Sequence, residues 1–136
     1  MKTKVLVIAV IKKDSTVLMR KKPAGSPPYT ETWYLFGGEL TPGIAPEKAA
    51  QDIVRQQAGI EIRMTEQSSW DTEVKADLDG ETKQFVYLDA IFEYVSGDLV
   101  IAPGIEKLEW APIDNLSEYD LVPPSVELFK KLGYLL

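Results

Sequence analysis

Residues 32–60, TWYLFGGELTPGIAPEKAAQDIVRQQAGI, constrain the fold of this chain more than any other stretch. A strand-like run from Trp33 to Phe36 meets a Gly37-Gly38 turn, and a loop containing Pro and Gly follows. The next segment, Pro46 to Ala58, has an apolar stripe at helical spacing. The stretch therefore predicts a strand, a loop and a helix in immediate succession.

The ends of the predicted helix carry recognisable signals. Pro46 suits the first helical position, Glu47 favours the positive end of the helix dipole, and Gly59 suits a left-handed cap. Ala45 is a poor N-cap, which costs about 1 kcal/mol relative to Ser or Thr. We expect the helix to depend on packing as much as on its caps.

The rest of the chain alternates apolar runs with turns, which predicts a mixed sheet with two helices. A hairpin is predicted first, and Lys21 to Thr32 forms a long proline-containing loop of the kind that often carries function. Asp79-Gly80 predicts a turn. Strands are predicted over 5–11, 16–20, 60–64, 69–75, 85–94 and 107–111, a short turn or helix over 115–119, and a second helix over 122–132. This pattern indicates an α+β fold, an α/β/α sandwich, in one domain spanning 1–136.

Composition excludes several kinds of chemistry. The chain of 136 residues has a net charge of −6 and contains neither Cys nor His. Thiol nucleophiles, imidazole bases and the usual zinc ligands are therefore absent, and any metal would be a hard cation such as Mg²⁺ or Mn²⁺. The acidic charge argues against a broad nucleic-acid surface, and the apolar run from Val5 to Ile11 is too short to span a membrane. We expect a cytoplasmic protein without nucleic-acid or membrane partners.

The stretch resembles the Nudix box, the signature of hydrolases that cut nucleoside diphosphates linked to another group. That pattern is Gly, five residues, Glu, seven residues, then Arg-Glu-hydrophobic-any-Glu-Glu-any-Gly-hydrophobic. On this chain it runs from Gly38 to Ile60, and Val54 and Gly59 also match. Val17-Leu18-Met19-Arg20 and Glu109-Trp110-Ala111 resemble further conserved parts of the same family. The resemblance implies a Nudix fold with a mixed β-sheet.

The five charged positions of the pattern hold other residues. They are occupied here by Ile44, Asp52, Ile53, Gln56 and Gln57. In the family the Glu side chains at 53, 56 and 57 share one helix face and bind the metal, so this box is degenerate. The resemblance therefore implies a retained fold with metal-dependent hydrolysis lost or strongly reduced, and no metal-ligand set is predicted.

Displaced acids are the competing interpretation. Glu39 lies in the box loop, and some Nudix enzymes take a base from outside the box, a role open to Glu106 or Glu109. Glu106 and Glu109 are also explained as ordinary exposed strand residues. If the chain is active, we expect Mg²⁺ or Mn²⁺ as the cofactor.

Basic and aromatic residues near the loop are candidate ligand-binding groups. Arg20 and Lys22 are placed to face anionic phosphates, and Trp33 and Tyr34 offer a stacking surface for a base. The simpler interpretations are a solvated hairpin end and ordinary packing.

Three functions remain open from the sequence. The first is a catalytically impaired Nudix-fold protein that binds a nucleotide-like or phosphorylated small molecule. The second is a divergent Mg²⁺- or Mn²⁺-dependent pyrophosphohydrolase that uses acids outside the box. The third is a non-enzymatic protein-interaction module, and a homodimer is compatible with all three.

Overall fold

A mixed seven-stranded sheet forms the centre of the structure, a computed structural model that describes residues 1–136. The strand order is β3-β2-β1-β6-β5, with β4 also paired to β1 and β7 to β2. The strands are β1 (Thr3–Lys13), β2 (Thr16–Lys21), β3 (Trp33–Tyr34), β4 (Phe36–Glu39), β5 (Glu61–Ala76), β6 (Thr82–Ser96) and β7 (Lys107–Pro112). The helices are α1 (Pro46–Ala58), α2 (Pro123–Lys131) and a short 3-10 helix (Ile113–Glu118). The predicted α+β fold is confirmed.

The central strand β1 has helices on both of its faces because its side chains alternate. Val7, Ala9 and Ile11 belong to the core cluster that contains the buried face of α1. Val10 belongs to a second cluster with Leu128 and Phe129 of α2. We call these the α1 face and the α2 face of the sheet.

The predicted Gly37-Gly38 turn is wrong, because both glycines lie inside β4. Gly37 pairs with Ile8 of β1, and Gly38 pairs with Val7. A Cβ added to Gly37 would lie 2.5 Å from the carbonyl oxygen of Val7. Glycine is needed here for close approach of two strands, a long-range constraint that a local pattern does not reveal.

The two strands predicted over 60–64 and 69–75 are one strand, β5. Its pairing with β6 shifts register between Met64 and Glu66 and again between Gln67 and Ser69. Bulges of this kind break the alternation of side chains without ending the strand. The sequence pattern therefore indicated the bulged region, but it did not indicate that one strand continues through it.

Helix α1 has the predicted bounds and ends. Ala45 is the N-cap and makes no side-chain capping bond, while Gly59 adopts a left-handed conformation with φ of 75°. Ala49, Ala50, Val54 and Ala58 are buried against the sheet. Neither α1 nor α2 has the length and apolar character needed to cross a bilayer.

Candidate functional site

The box face of α1, comprising Ile53, Gln56, Gln57 and the preceding Ile44, combines packing with polar contacts. Ile44 and Ile53 are partly buried and pack against the core cluster beneath α1. A Cβ on Gly38 would lie 3.0 Å from Cδ1 of Ile53, so this side chain sits directly over the glycine. Two of the pattern's charged positions thus serve as apolar packing.

Asp52 takes part in a surface ion network on the same helix. Its carboxylate contacts the ammonium of Lys48 at 3.2 Å and the guanidinium of Arg55 at 2.9 Å. Hydrogen bonds from Lys48 and then Arg55 lower the pKa of Asp52. This network contributes little to stability because it is largely exposed. Gln56 is exposed as well.

Gln57 is held by Arg20 of β2. Nη1 of Arg20 donates to Oε1 of Gln57 at 2.6 Å, and Nε donates to the carbonyl oxygen of Leu35 at 3.1 Å. The guanidinium also lies 4.1 Å from the ring centre of Tyr34 and 5.1 Å from that of Phe36. Burial lowers the pKa of Arg20 to about 10, so the group remains charged at neutral pH. A fixed cation therefore lies beside the last altered box position.

These residues do not fit a hard divalent cation. Such an ion needs several charged or carbonyl oxygens, whereas Ile44 and Ile53 offer none and the amide oxygen of Gln57 accepts from Arg20. No three Asp or Glu side chains converge anywhere in the chain in a way that could hold a metal.

The three acids predicted as displaced candidates lie apart and have basic neighbours. Glu39 is exposed and lies 3.8 Å from the ammonium of Lys4. Glu106 lies 3.7 Å from the ammonium of Lys21. Glu109 accepts a hydrogen bond from Tyr119, which lowers its pKa, and it pairs with Lys107 at 3.2 Å. Their catalytic role stays a prediction.

A cleft of about 650 Å³ lies on the α2 face of the sheet. The loop of residues 22–32 and the start of α2 border it, and Leu6, Ile8 and Tyr87 lie along the sheet. Three of the four predicted ligand-binding residues, Arg20, Lys22 and Tyr34, line this cleft. Trp33 does not, because its ring packs edge-on against Tyr119 at 5.2 Å between centroids.

The ammonium of Lys22 points into the loop of residues 22–32 and contacts backbone carbonyls there. The side chain is 6% exposed and donates to the carbonyl oxygens of Ser26 and Tyr29. These bonds satisfy carbonyls that a loop lying over a cleft would otherwise leave without partners. Lys22 therefore shapes the cleft wall, and a direct role in ligand binding stays a prediction.

The same loop is fastened to the sheet by the Tyr29 cluster, formed by Tyr29, Glu73, Lys75 and Tyr87. The hydroxyls of Tyr29 and Tyr87 donate to Oε1 of Glu73 at 2.6 and 2.8 Å. The ammonium of Lys75 contacts both phenol oxygens, at 2.7 and 3.0 Å, and Glu73 at 3.2 Å. Burial and the bonds to Glu73 raise the pKa of both phenols. Burial acts to raise the pKa of Glu73, but the hydrogen bonds from Tyr29, Tyr87 and Lys75 outweigh it and lower that pKa.

Sequence reasoning missed the cluster and the buried Asp89 beside it. Asp89 is 7% exposed, and burial raises its pKa to about 6. One signal was present, because an Asp in the middle of an aromatic and branched strand is unusual. The partners of the cluster come from residues 29, 73, 75 and 87, and no local pattern joins them.

Comparison with known proteins agrees with this architecture. The profile of the NUDIX domain matches residues 2–132. Nucleoside triphosphatase NudI of Escherichia coli O81 is 27% identical over 127 residues, covering 89% of this chain and 90% of the relative. Among solved structures, a NUDIX hydrolase from Nitrosomonas europaea superposes with a TM-score of 0.79 at 19% identity, over 97% of this chain and 89% of that one. A MutT NUDIX hydrolase from Burkholderia pseudomallei gives 0.76 at 21% identity, over 97% and 99%. With the profile match spanning nearly its whole length, the chain belongs to the NUDIX family.

Proposed function

We propose that this protein has lost the metal-dependent hydrolysis of its family and binds a nucleotide-like or phosphorylated small molecule in the cleft on the α2 face. The observation that carries the proposal is the combination of a complete NUDIX fold with a box face that offers no set of metal-binding oxygens. Mg²⁺ or Mn²⁺ would assist such chemistry by polarising phosphate oxygens and activating water.

The altered positions support loss of the metal site because four of the five have another physical role, and the fifth, Gln56, is exposed. Ile53 packs over Gly38, Asp52 is paired with Lys48 and Arg55, and Gln57 accepts from Arg20. No buried side-chain nitrogen or oxygen in the chain lacks a hydrogen-bond partner. The box helix is thus packed and paired without a converging set of acidic ligands.

The cleft supports retained binding. Nε and Nη1 of Arg20 donate to acceptors within the protein, while Nη2 has no acceptor within the chain. A guanidinium with an unused N–H pair is suited to phosphate oxygens, and the ring of Tyr34 fixes its plane. The bonds of Lys22 and Tyr29 hold the loop that borders the cleft, which reduces the entropy lost on binding.

Binding of nucleoside diphosphates in metal-free buffer tests the retained half of the proposal. We expect Arg20→Ala to weaken binding about a hundredfold, since a charged hydrogen bond contributes about 1.5–3 kcal/mol. Arg63→Ala is the matched control, because Arg63 is exposed and paired with Glu93 far from the cleft lining. Calorimetric titration is the measurement, with melting curves to verify folding. Equal affinities for both variants would contradict the assignment of Arg20.

A divergent hydrolase is the second candidate, and the position of Glu39 favours it. This exposed carboxylate follows Gly38 directly and is held only by a 3.8 Å contact with Lys4. Product release would then be lost in Glu39→Gln, whereas Glu106→Gln and Glu109→Gln test the other two acids. Turnover that survives all three substitutions would exclude this candidate.

A further inference from the structure

Strand β5 is an open edge of the sheet, and its outer backbone is not paired with another strand. It stands last in the strand order, with β6 on its inner side. Two local contacts show which groups point outward. The N–H of Thr72 donates to the carboxylate of the preceding residue at 2.9 Å, and the carbonyl oxygen of Trp70 lies 3.5 Å from the ammonium of Lys131. Because outward groups recur at every second residue, those of Val74 are also directed outward, and residues 72–76 form an unpaired edge.

Large apolar side chains lie along this edge and are exposed to solvent. Trp70 is 77% exposed and Val74 is 58% exposed, and both lie on one face of the strand because side chains alternate. Leu78, in the turn that follows β5, is 77% exposed. The three residues are spaced by four, so Trp70 and Leu78 stand symmetrically on either side of Val74. An exposed apolar edge with this symmetry is complementary to a second copy of itself.

The charged residues of the same stretch have a matching symmetry. Glu73 and Lys75 flank Val74, and both line the cleft on the α2 face. A two-fold axis through Val74 pairs the whole of residues 72–76 with itself and places Glu73 of each copy opposite Lys75 of the other. Axes through Thr72, Glu73 or Lys75 would each place like charges opposite one another, which is destabilising. Charge and apolar pattern therefore favour the same register.

We propose that the edge of β5 is a self-association surface, on which a second copy of this chain adds its own β5 antiparallel about a two-fold axis at Val74. Residues 72, 74 and 76 of the two copies then form about six interchain backbone hydrogen bonds. Trp70 of each copy lies opposite Leu78 of the other. The contact between Lys131 and Trp70 lies outside the paired stretch and is retained. Because both copies use the same edge, the assembly closes at two chains.

The two-fold contact lies beside the Tyr29 cluster. Glu73 and Lys75 bind the hydroxyl of Tyr29, which belongs to the loop that borders the cleft. In the dimer, Glu73 of each copy gains Lys75 of the other as a second cation. Each copy thus contributes charge to the cleft wall of its neighbour, whichever ligand the cleft binds, so this inference does not depend on the proposed function.

Single cysteines test the register, because the natural chain contains no Cys. Opposite residues of a hydrogen-bonded pair have Cα atoms about 5.5 Å apart, which a disulfide can bridge. Under mild oxidation we expect Val74→Cys to form a linked dimer at least about tenfold faster than Thr72→Cys, whose two copies lie about 13 Å apart along the strand. Val100→Cys is the matched control for random collision, because Val100 is 62% exposed in the loop after β6.

Sedimentation velocity of the natural chain tests the association itself. We expect twice the chain mass of 15.2 kDa above a dissociation constant of about 10 μM, since a contact of this size is smaller than a standard interface. Val74→Lys, which brings two ammonium groups together at the axis, should remain a monomer, whereas Val100→Lys should keep the dimer. Melting curves verify that both variants fold.

Three results would overturn the proposal. The first is a natural chain that stays monomeric up to about 500 μM, well above the expected dissociation constant. The second is equal cross-linking of Val74→Cys and Thr72→Cys, which would exclude the register. The third is a dimer that survives Val74→Lys or is lost in Val100→Lys, which would place the contact elsewhere. The first measurement uses the natural chain, so it does not depend on how any variant folds.

Discussion

The box face of α1 and the cleft on the α2 face differ in chemistry and are linked by Arg20, which lines the cleft and donates to Gln57 of α1. On the box face, positions that the family pattern gives to charged residues hold Ile44 and Ile53, and both pack against the core. The cleft holds a partly buried guanidinium at Arg20, a buried carboxylate at Asp89 and the bonded Tyr29 cluster. Positions that the family pattern gives to charged residues hold apolar or amide side chains at 44, 53, 56 and 57, whereas several charged side chains line the cleft.

Under the proposed function, this difference makes binding and catalysis separable in this fold. Packing residues on the box face stabilise the chain without a ligand. Buried charges in the cleft cost stability unless a ligand or neighbour compensates them, so their presence points to binding. Substitutions on the box face should therefore change the stability of the chain, whereas substitutions in the cleft should change its affinity for a ligand.

The largest expected effect is a pH-dependent cost of the Asp89 carboxylate. Its pKa rises from about 3.9 in an unfolded chain to about 6 in the fold, because it is buried. Between pH 4 and 6 the folded state binds more protons than the unfolded state, so the free energy of unfolding falls as pH rises. Asp89→Asn removes this term, and its stability relative to the natural chain should increase by up to about 3 kcal/mol across that window.

Urea unfolding at several pH values measures this difference. The charged neighbours that act on Asp89 are Lys131 of α2 and Asp71 of β5, and both remain in the variant. Glu127 of α2 lines the same cleft and is also retained. Parallel stability curves for the two proteins between pH 4 and 6 would show that Asp89 is not buried as described.

A smaller effect, about 2 kcal/mol, is expected for Ile53→Glu on the box face. The new carboxylate would lie over Gly38 against the core cluster with no partner, and unpaired burial is costly. Gln56→Glu, three residues along the same helix but exposed, should change stability by no more than about 0.5 kcal/mol. Chemical denaturation of both variants makes the comparison. If the two cost the same, position 53 has no packing role.

The smallest effect is expected for Tyr29→Phe, which removes one donor to Glu73 and one acceptor for Lys75. We expect a loss of about 1 kcal/mol and faster amide hydrogen exchange confined to residues 22–32. Tyr134→Phe is the matched control, since the hydroxyl of Tyr134 makes no hydrogen bond in the chain. Unchanged exchange in the loop would mean that Lys22 alone orders it.

Local signals predicted the parts of the fold that depend on local rules. Pro46 and Gly59 set the ends of α1 correctly, and Asp79-Gly80 marked a real turn between β5 and β6. The turn predicted at Gly37-Gly38 is wrong because pairing with β1, more than twenty residues away, makes both glycines part of a strand. The bulges of β5 resemble a strand end in the sequence for the same reason. Only the pairing with β6, which continues on both sides of the bulges, shows that β5 is one strand.

The site divides in the same way. The altered box positions could be identified from the sequence because the family pattern fixes them by spacing. The placement of Arg20 against Gln57, and of Tyr29 against Glu73, joins residues 37 and 44 positions apart. Long-range pairs of this kind follow from the topology of the sheet and have no signature in a single sequence.

Product release in the presence of Mg²⁺ or Mn²⁺ tests whether the chain has lost metal-dependent hydrolysis. Nucleoside triphosphates, sugar nucleotides, ADP-ribose and dinucleotides are the substrates, with the E. coli nucleoside triphosphatase NudI as positive control. A variant carrying Ile44→Glu, Asp52→Arg, Ile53→Glu, Gln56→Glu and Gln57→Glu is assayed beside the natural chain. We expect no metal-dependent turnover by the natural chain and measurable turnover by the restored one. Turnover by the natural chain at the rate of the positive control would show that its metal-dependent hydrolysis is intact.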